Sequence, residues 1–331
     1  MATRFAVLFV SVLAASCGGG DGPQTPTSPT APALATLSVA CPPAQSASTI
    51  GTATTVTYPS PTTTGGRAPV TVTCSPSSGA SFPLGTTPVA CQALDARNTA
   101  ADCTFPVLVA RIPMLARTRF LAFGDSTTAG EVSVPSSTDI SGEGARFSRL
   151  VLLTSASYPT QLSGLLVSRY AMQSANIEVT NSGVSGEAAS EGGVKRLPGV
   201  MASVRPEVVL LLEGYNDLNL YGSSGISRAI AALDKMAKEA RNRGALVILA
   251  SLTPPRPGGK NSIEPELVVE FNNRLRTLAS GESAVYIDIY SALLPSLTTY
   301  IGVDGLHPTE AGYRRMAEEF FAAIRATLEA P

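Results

Sequence analysis

Short apolar runs recur through the last two thirds of the chain, and patterns typical of amphipathic helices separate them. The apolar runs are predicted strands, at Arg119–Gly124, Ile177–Asn181, Val208–Glu213, Ala245–Ser251 and Ala284–Ile289. The helical patterns cover Tyr158–Ala171, Val194–Val204, Gly225–Arg243 and Glu264–Ala279. Strands that alternate with helices are typical of a parallel sheet with helices on both faces. We therefore predict a three-layer α/β/α domain with a flavodoxin-like parallel sheet over residues 117–331.

A last helix is predicted to begin at His307-Pro308, because proline is favoured in the first turn and Glu310 follows soon after. The positions that repeat at helical spacing within it are apolar, namely Tyr313, Met316, Phe320 and Ile324. Such a stripe is typical of a helix face that packs against a core. We interpret it as core rather than as a binding surface.

Residues 36–110 have a different composition, rich in Thr, Val, Ser and Pro. Apolar and polar positions alternate in short runs, as at Val70, Val72 and Cys74, and Gly/Pro turn signals separate the runs. This pattern predicts a small antiparallel β-sandwich. Because few large apolar residues are available for its core, we expect disulfides to contribute to its stability.

The first residues have the composition of an export signal. Arg4 supplies a positive charge, Phe5–Leu13 is a short apolar run, and small residues lead to Cys17. The run is too short for a membrane-spanning helix, so residues 1–16 are predicted to be a secretory signal peptide. The small residues before Cys17 resemble a bacterial lipobox, although Ala14 stands where leucine is preferred. Cleavage of a plain signal peptide nearby is the alternative.

Residues 17–35, rich in Gly, Pro, Thr and Ser, are predicted to be a flexible tether behind a lipidated Cys17. We therefore expect an exported lipoprotein of the bacterial cell envelope, on the periplasmic face or the cell surface, which meets a membrane through its N-terminal lipid.

The remaining cysteines all lie in the β-rich segment, and their even number in an exported chain favours two disulfides. Four cysteines allow three pairings. We adopt Cys41–Cys103 with Cys74–Cys91 as the working pairing. A zinc site is disfavoured, because the segment has no Cys-x-x-Cys pair and no histidine.

The charges of the chain are balanced, with 24 Lys+Arg against 25 Asp+Glu and a formal net charge of −1. No basic stripe is present that could neutralise nucleic-acid phosphates. We therefore expect no nucleic-acid partner.

The first predicted strand of the α/β domain ends in Gly124-Asp125-Ser126. In sheets of this kind, ligands bind at the carboxyl ends of the strands. A serine at that edge, at the start of a helix, can present its hydroxyl beside backbone N–H groups that receive a developing negative charge. Taken alone, the motif fits an ordinary helix cap equally well.

His307 is the single histidine of the chain, and Asp304 precedes it by three residues. An aspartate at that spacing can fold back on a turn and accept a hydrogen bond from the imidazole Nδ1–H. The Nε2 atom is then free to take a proton from a serine. Any Ser–His–Asp mechanism in this chain must use His307.

Two further predicted strands end at the same sheet edge. The motif that begins at Asn181 contains Gly183, whose N–H can point at an oxyanion, and the next motif contains Asn216, whose side-chain amide can add a second donor. Separately, these residues are also typical of loops and turns.

Together these motifs resemble the SGNH hydrolases, also called GDSL esterases and lipases. The resemblance implies that Ser126 is the nucleophile, that Asp304 and His307 complete the triad, and that Ser126, Gly183 and Asn216 form the oxyanion hole. Thr127 stands where the family signature usually has leucine. That change removes apolar packing but no catalytic group. The implied chemistry needs no metal and no organic cofactor.

The segment 36–110 resembles the hyalin repeat, an immunoglobulin-like extracellular module, on the blocks Val72–Gly79, Phe82–Cys91 and Cys103–Val109. That resemblance implies a role in adhesion or spacing rather than catalysis.

The function that follows is a secreted serine esterase of carboxylic esters, arylesterase-like or lysophospholipase-like. Its substrate would be a small-molecule, lipid or glycan ester. A polysaccharide acetyl esterase is the alternative, favoured by the extracellular β-module. An adhesion or scaffold lipoprotein with an inert hydrolase domain is the alternative of another class. The stretches Glu131–Ser157 and Thr253–Ser262 would either line the pocket or be plain surface loops.

Overall fold

The computed structural model describes residues 35–135 and 148–330. The described chain divides into two compact units, one formed by residues 35–47 and 53–110 and the other by residues 48–52 and 111–330. The predicted signal peptide and Cys17 lie outside the described residues, as does nearly all of the predicted tether.

The smaller unit consists of short antiparallel strands. Its strands are β1 (Ser38–Ala40), β2 (Gln45–Thr49), β3 (Ala53–Thr55), β4 (Thr62–Thr64), β5 (Thr71–Ser75), β6 (Ser81–Pro83), β7 (Gly85–Leu94) and β8 (Ala100–Arg111). A four-stranded sheet has the order β2-β8-β7-β5, and the pairs β1·β4 and β3·β6 complete the unit. Alternate residues of β7 and β8, such as Val89, Phe105 and Val107, are buried around Phe82. The predicted all-β fold of this segment is confirmed.

Two disulfides cross the small unit, Cys41–Cys103 and Cys74–Cys91. Cys91 lies opposite Cys74 on β5 and opposite Cys103 on β8, so the four cysteines gather at one level of the sheet. The sulfur atoms of Cys41, Cys91 and Cys103 lie within 4.8 Å of one another. All three belong to disulfides and are therefore not thiolates that could bind a metal. The Cys74–Cys91 cross-link spans a sequence separation of 17 residues, and a disulfide that closes a loop of about this length stabilises a fold by about 3 kcal/mol.

The larger unit alternates strands and helices. Its strands are β9 (Arg119–Gly124), β10 (Glu131–Pro135), β11 (Ser148–Leu152), β12 (Glu178–Gly183), β13 (Val208–Leu212), β14 (Leu246–Ala250) and β15 (Val285–Ile287). Its α-helices are α1 (Ser126–Ala129), α2 (Tyr158–Arg169), α3 (Val194–Val204), α4 (Tyr215–Tyr221), α5 (Ser223–Asn242), α6 (Pro265–Gly281), α7 (Ile289–Leu293), α8 (Leu297–Tyr300) and α9 (Glu310–Leu328).

The main sheet of this unit is parallel and has the order β12-β9-β13-β14-β15. Numbered within the sheet, that order is 2-1-3-4-5, which is the flavodoxin-like arrangement. The predicted α/β/α fold is therefore confirmed. The register places Gly183 and Leu212 on either side of Gly124, so three strands end at the same level.

Both faces of the sheet are covered. On β9, Leu121 and Phe123 face the cluster packed by α5 and α6, while Phe120 and Ala122 face the cluster packed by α2 and α9. Two buried faces explain why the strands read as continuous apolar runs rather than as alternating patterns. The predicted strand and helix ends lie within a few residues of the observed ones.

The beginning of the last helix differs from the prediction. Helix α9 begins at Glu310, and Thr309 is its N-cap, whose Oγ1 accepts the Gly312 N–H at 3.1 Å. Pro308 therefore lies before the cap, where it pairs with Ile301 in an isolated bridge. The Thr309 hydroxyl satisfies one of the N–H groups that have no partner within the first turn of a helix.

A hairpin of β10 and β11 was also not predicted as secondary structure, and it occupies the two described ends of the stretch Glu131–Ser157. Within the described residues, no helix is both long enough and apolar enough to cross a membrane.

We expect Thr309→Ala to lower the free energy of unfolding by about 1 kcal/mol, because α9 loses its N-cap. The Thr309 hydroxyl also donates to the Thr299 carbonyl at 2.6 Å, so the loss includes that bond. Urea denaturation followed by far-ultraviolet circular dichroism measures it. Thr309→Ser keeps both hydrogen bonds and is the matched control. An equal loss in the serine variant would contradict the assignment of the cap.

Candidate active site

Strand β9 leads directly into the short helix α1, which begins with Ser126. Asp125 is the N-cap, and its side chain accepts the Thr127 N–H at 2.9 Å. Gly124 is required just before it, because a Cβ there would lie 2.1 Å from Thr128 Oγ1 and 2.3 Å from the Leu212 carbonyl oxygen. The tight strand-to-helix turn thus holds the Ser126 hydroxyl at the carboxyl end of the sheet.

Ser126, His307 and Asp304 are linked by hydrogen bonds in one line. His307 Nε2 lies 2.9 Å from Ser126 Oγ, and His307 Nδ1 lies 2.6 Å from Asp304 Oδ2. The exposed fractions are 5% for Ser126, 3% for His307 and 0% for Asp304, so the line is nearly closed to bulk water. A carboxylate on Nδ1 fixes the tautomer in which Nε2 accepts a proton from the serine.

Asp304 has more partners than the histidine alone. Its Oδ1 accepts the His307 N–H at 3.2 Å, and its Oδ2 accepts the Asn261 side-chain amide at 2.9 Å. Burial by itself would raise the pKa of Asp304, but the hydrogen bonds from His307 and Asn261 outweigh it and lower the pKa. The carboxylate is therefore ionised and fixed in place beside the imidazole.

The structure places Gly183 differently from the prediction. Its N–H donates to Asn181 Oδ1 at 3.0 Å and is not free for an oxyanion. A Cβ at this position would lie 2.1 Å from the Ala129 backbone nitrogen, so glycine is needed there for packing against α1. Gly186, three residues later, lines the cavity with Ser126 and His307, and the described part of the chain provides no hydrogen-bond acceptor for its N–H.

Asn216, in the first turn of α4, also lines this cavity. Its Nδ2 donates to the Glu187 carbonyl oxygen at 2.9 Å, which fixes the side chain and leaves the second amide hydrogen for a ligand. The next residue, Asp217, accepts the N–H groups of Ala189 and Ser190 at 2.7 and 3.0 Å. These bonds hold the loop that contains Gly186 against α4.

An ion pair lies behind the same loop. The Arg196 guanidinium binds the Glu187 carboxylate, donates to Ser182 Oγ at 2.7 Å and lies 3.9 Å from the centre of the Phe123 ring. Glu213, 1% exposed, lies beside this pair. Burial and the neighbouring Glu187 raise the pKa of Glu213 well above its usual value.

The cavity next to Ser126 and His307 has a volume of about 150 Å³. Its described lining is mostly polar and includes Glu131, Asn219 and Asn261. Leu150 on β11 and Asn261 come from the two stretches for which the sequence left the choice between pocket wall and surface loop open. Both stretches therefore contribute to the wall.

Sequence reasoning did not select Gly186, Asn261 or Glu131. Gly186 had a signal, because it is the second glycine of the motif that begins at Asn181. Asn261 and Glu131 had none, because each stands in a stretch whose path the local pattern does not determine.

Asp125 has an unusual electrostatic environment for an acid. Its side chain is fully buried, and burial raises its pKa from 3.8 to about 6. A raised pKa in the folded state means that folding is favoured when the group is protonated. Stability from this group is therefore present below about pH 4 and is lost as the pH rises through about 6.

We expect Asp125→Asn to be more stable than the wild type at pH 8, by up to about 3 kcal/mol, and to differ little from it near pH 4. The amide keeps the acceptor for the Thr127 N–H but carries no charge. Urea denaturation between pH 4 and pH 8 measures the difference.

The matched control is Asp234→Asn, at the surface position that pairs with Lys238. A difference between Asp125→Asn and wild type that does not grow with pH would contradict the buried, ionising Asp125.

Two family models match this chain. The GDSL-like Lipase/Acylhydrolase family matches residues 122–315, and the HYR domain, the hyalin repeat, matches residues 36–109. The first match covers more than half of the chain and contains all of the site residues named above.

Individual proteins give the same result. Esterase TesA of Pseudomonas aeruginosa is 28% identical over 167 residues, which cover 50% of this chain and 78% of that protein. The lipase/acylhydrolase from Enterococcus faecalis is similar in structure, with a TM-score of 0.50 and 21% identity over 64% of this chain and 97% of its own. LAE5, an alpha/beta hydrolase from the metagenome of Lake Arreo, Spain, has a TM-score of 0.50 and 20% identity over 64% and 96%. The two structures show the fold, and the family match shows more: this chain belongs to the GDSL-like lipase/acylhydrolase family and is an esterase/acylhydrolase with an N-terminal HYR domain.

Proposed function

We propose that this protein is a serine esterase that hydrolyses carboxylic esters through a covalent acyl-enzyme on Ser126. The observation that carries the proposal is the continuous hydrogen-bonded line from Ser126 Oγ through His307 to Asp304. A serine hydroxyl is a weak nucleophile unless a base adjoins it, and a base needs a third group to orient it. All three are present within hydrogen-bond distance, which favours a working enzyme over an inert scaffold domain.

In the first half of the reaction, His307 Nε2 takes the proton of Ser126 Oγ as that oxygen bonds to the ester carbonyl carbon. The imidazolium then gives the same proton to the leaving alkoxide oxygen as the ester C–O bond breaks. In the second half, a water molecule repeats the sequence on the acyl-enzyme, and the acid and Ser126 are released. Asp304 orients the ring and stabilises its positive charge without taking the proton.

The tetrahedral intermediates carry a negative oxygen that needs donors. The Ser126 N–H lies in the first turn of α1, and Asn216 has one amide hydrogen unused. Gly186 lines the cavity, and its N–H has no acceptor among the described residues. We assign the oxyanion hole to these donors, with Gly186 in the place first given to Gly183. Donors already fixed in position stabilise the transition state without reorganising during the reaction.

We expect Ser126→Ala to lower kcat on p-nitrophenyl acetate by 1,000-fold or more, because no nucleophile remains beside His307. Asn216→Ala should lower kcat by about 100-fold, because one oxyanion donor is lost. Steady-state kinetics of the purified full chain measures both.

Ser227→Ala, an exposed serine on α5, is the matched control and should keep wild-type kinetics. Turnover by Ser126→Ala close to that of the wild type would refute the assigned nucleophile. A folded wild type that hydrolyses no ester would favour the scaffold alternative.

We also propose that the enzyme is exported and anchored by a lipid on Cys17, with the HYR domain as a spacer. The basis is the sequence of the first residues, with a charged start, a short apolar run and small residues before the cysteine.

In a bacterial host, we expect the full chain in the membrane fraction, because the lipid on Cys17 supplies the anchor. The Cys17→Ser variant should appear in the soluble periplasmic or secreted fraction. Fractionation and mass spectrometry of the N-terminal peptide measure this. An unmodified wild-type Cys17 would contradict the anchor and favour a plain signal peptide.

A further inference from the structure

Glu131 places a carboxylate with one buried oxygen inside the catalytic cavity, and the proposed mechanism does not use it. We propose that it accepts a hydrogen bond from a hydroxyl on the alcohol part of the substrate. The enzyme would then act on short-acyl esters of polyhydroxylated alcohols. This inference rests on the proposed esterase function and names its substrate class.

The Glu131 side chain is 14% exposed, and its Oε2 is buried with no hydrogen-bond partner among the described residues. It lies 3.6 Å from His307 Nε2, too far for a hydrogen bond, and that nitrogen is already bonded to Ser126 Oγ. A buried acceptor without a donor destabilises a fold, more so when it is charged. Such a group is expected at a place where a ligand supplies the donor.

The surrounding structure holds the backbone of Glu131 in place. The Glu131 carbonyl oxygen accepts the Tyr313 hydroxyl at 2.6 Å, and Glu131 pairs with Leu152 in the hairpin of β10 and β11. None of the described residues that line the cavity is Lys or Arg, so the lining provides no cation for the acid. Glu131 thus reaches the cavity from a backbone position that the fold fixes.

The position of Glu131 determines which part of the substrate it meets. His307 Nε2 delivers its proton to the leaving oxygen, so a group beside Nε2 lies beside the alcohol and not at the far end of the acyl chain. In the alcohol part, a hydroxyl on the carbon adjacent to the one that bears the ester oxygen can therefore reach Oε2.

The remaining lining favours a hydroxyl over an ammonium group as the donor. Ser185, Asn219 and Asn261 supply hydroxyl and amide groups suited to a polyol, whereas Tyr215 is the one aromatic residue of the described lining. Ammonium ligands are usually held by several aromatic faces.

The apolar part of the lining bears on the acyl group. Leu150 and Leu306 are the apolar aliphatic residues of the described lining. The described lining therefore offers little apolar surface to a long acyl chain.

The test uses two pairs of acetate esters that differ in one group each. 2-Hydroxyethyl acetate and n-propyl acetate have nearly the same shape but differ in a terminal hydroxyl. Acetylcholine and 3,3-dimethylbutyl acetate differ only in the positive charge. The kcat/KM of the full chain is measured for all four and is normalised to their rates of alkaline hydrolysis.

We expect the wild type to prefer 2-hydroxyethyl acetate over n-propyl acetate by 10-fold to 100-fold, as for a hydrogen bond to a charged acceptor. Glu131→Ala should abolish this preference, and Glu131→Gln, which keeps a carbonyl acceptor, should retain part of it. Glu178→Ala, an exposed acid at the opposite end of the sheet, is the matched control and should keep the wild-type preference.

Stability gives a second measurement. Because Oε2 has no partner in the free protein, Glu131→Gln should unfold at the same or a higher temperature than the wild type. This readout holds even if Glu131→Ala fails to fold. A marked drop in the unfolding temperature of Glu131→Gln would mean that the carboxylate has a structural role and would overturn the proposal.

The other outcomes are also decisive. An unchanged preference in Glu131→Ala, no preference in the wild type, or a preference for acetylcholine over its neutral partner that exceeds the hydroxyl preference would each overturn this inference alone. A wild type that hydrolyses p-nitrophenyl acetate but none of the four esters would do the same. No turnover of any ester would overturn the proposed function and this inference with it.

Discussion

Parallel hydrogen bonding places β9 between β12 and β13, with Gly183 on one side of Gly124 and Leu212 on the other. The rest of the site depends on this register, because the segments after these strand ends carry Ser126 and all of the proposed oxyanion donors. Two apolar clusters, one on each face, hold the sheet rigid. The loops therefore present their polar groups from a fixed edge, which a catalytic geometry requires.

Close backbone packing at this edge is made possible by glycine. A Cβ at position 124 would collide with Thr128 and with the Leu212 carbonyl, and a Cβ at position 183 would collide with the backbone of Ala129. Both collisions would push α1 away from the sheet. These two glycines thus set the position of Ser126, while the glycine that faces the cavity is Gly186.

The carboxyl groups in and near the site are of two kinds, those with strong hydrogen-bond or ion-pair partners and those without. Asp304 and Glu187 each have strong partners, and they hold His307 and the loop of Gly186 in place. Glu131 and Glu213 have carboxyl oxygens without partners among the described residues. For Glu213, burial raises the pKa well above its usual value, which favours the uncharged form. Glu131 faces the cavity, where a substrate can supply the missing donor.

The sequence by itself determined the five strands of the main sheet and the long helices between them, because the period of apolar residues depends on near neighbours in the chain. It also pointed to Ser126, Asp304 and His307, since the chain has a single histidine and its aspartate is only three residues away. The cavity positions of Gly186, Asn261 and Glu131 were decided by the tertiary structure. Each depends on a contact between residues far apart in the chain, and a local pattern contains no information about which donor, acceptor or charge such a contact leaves free.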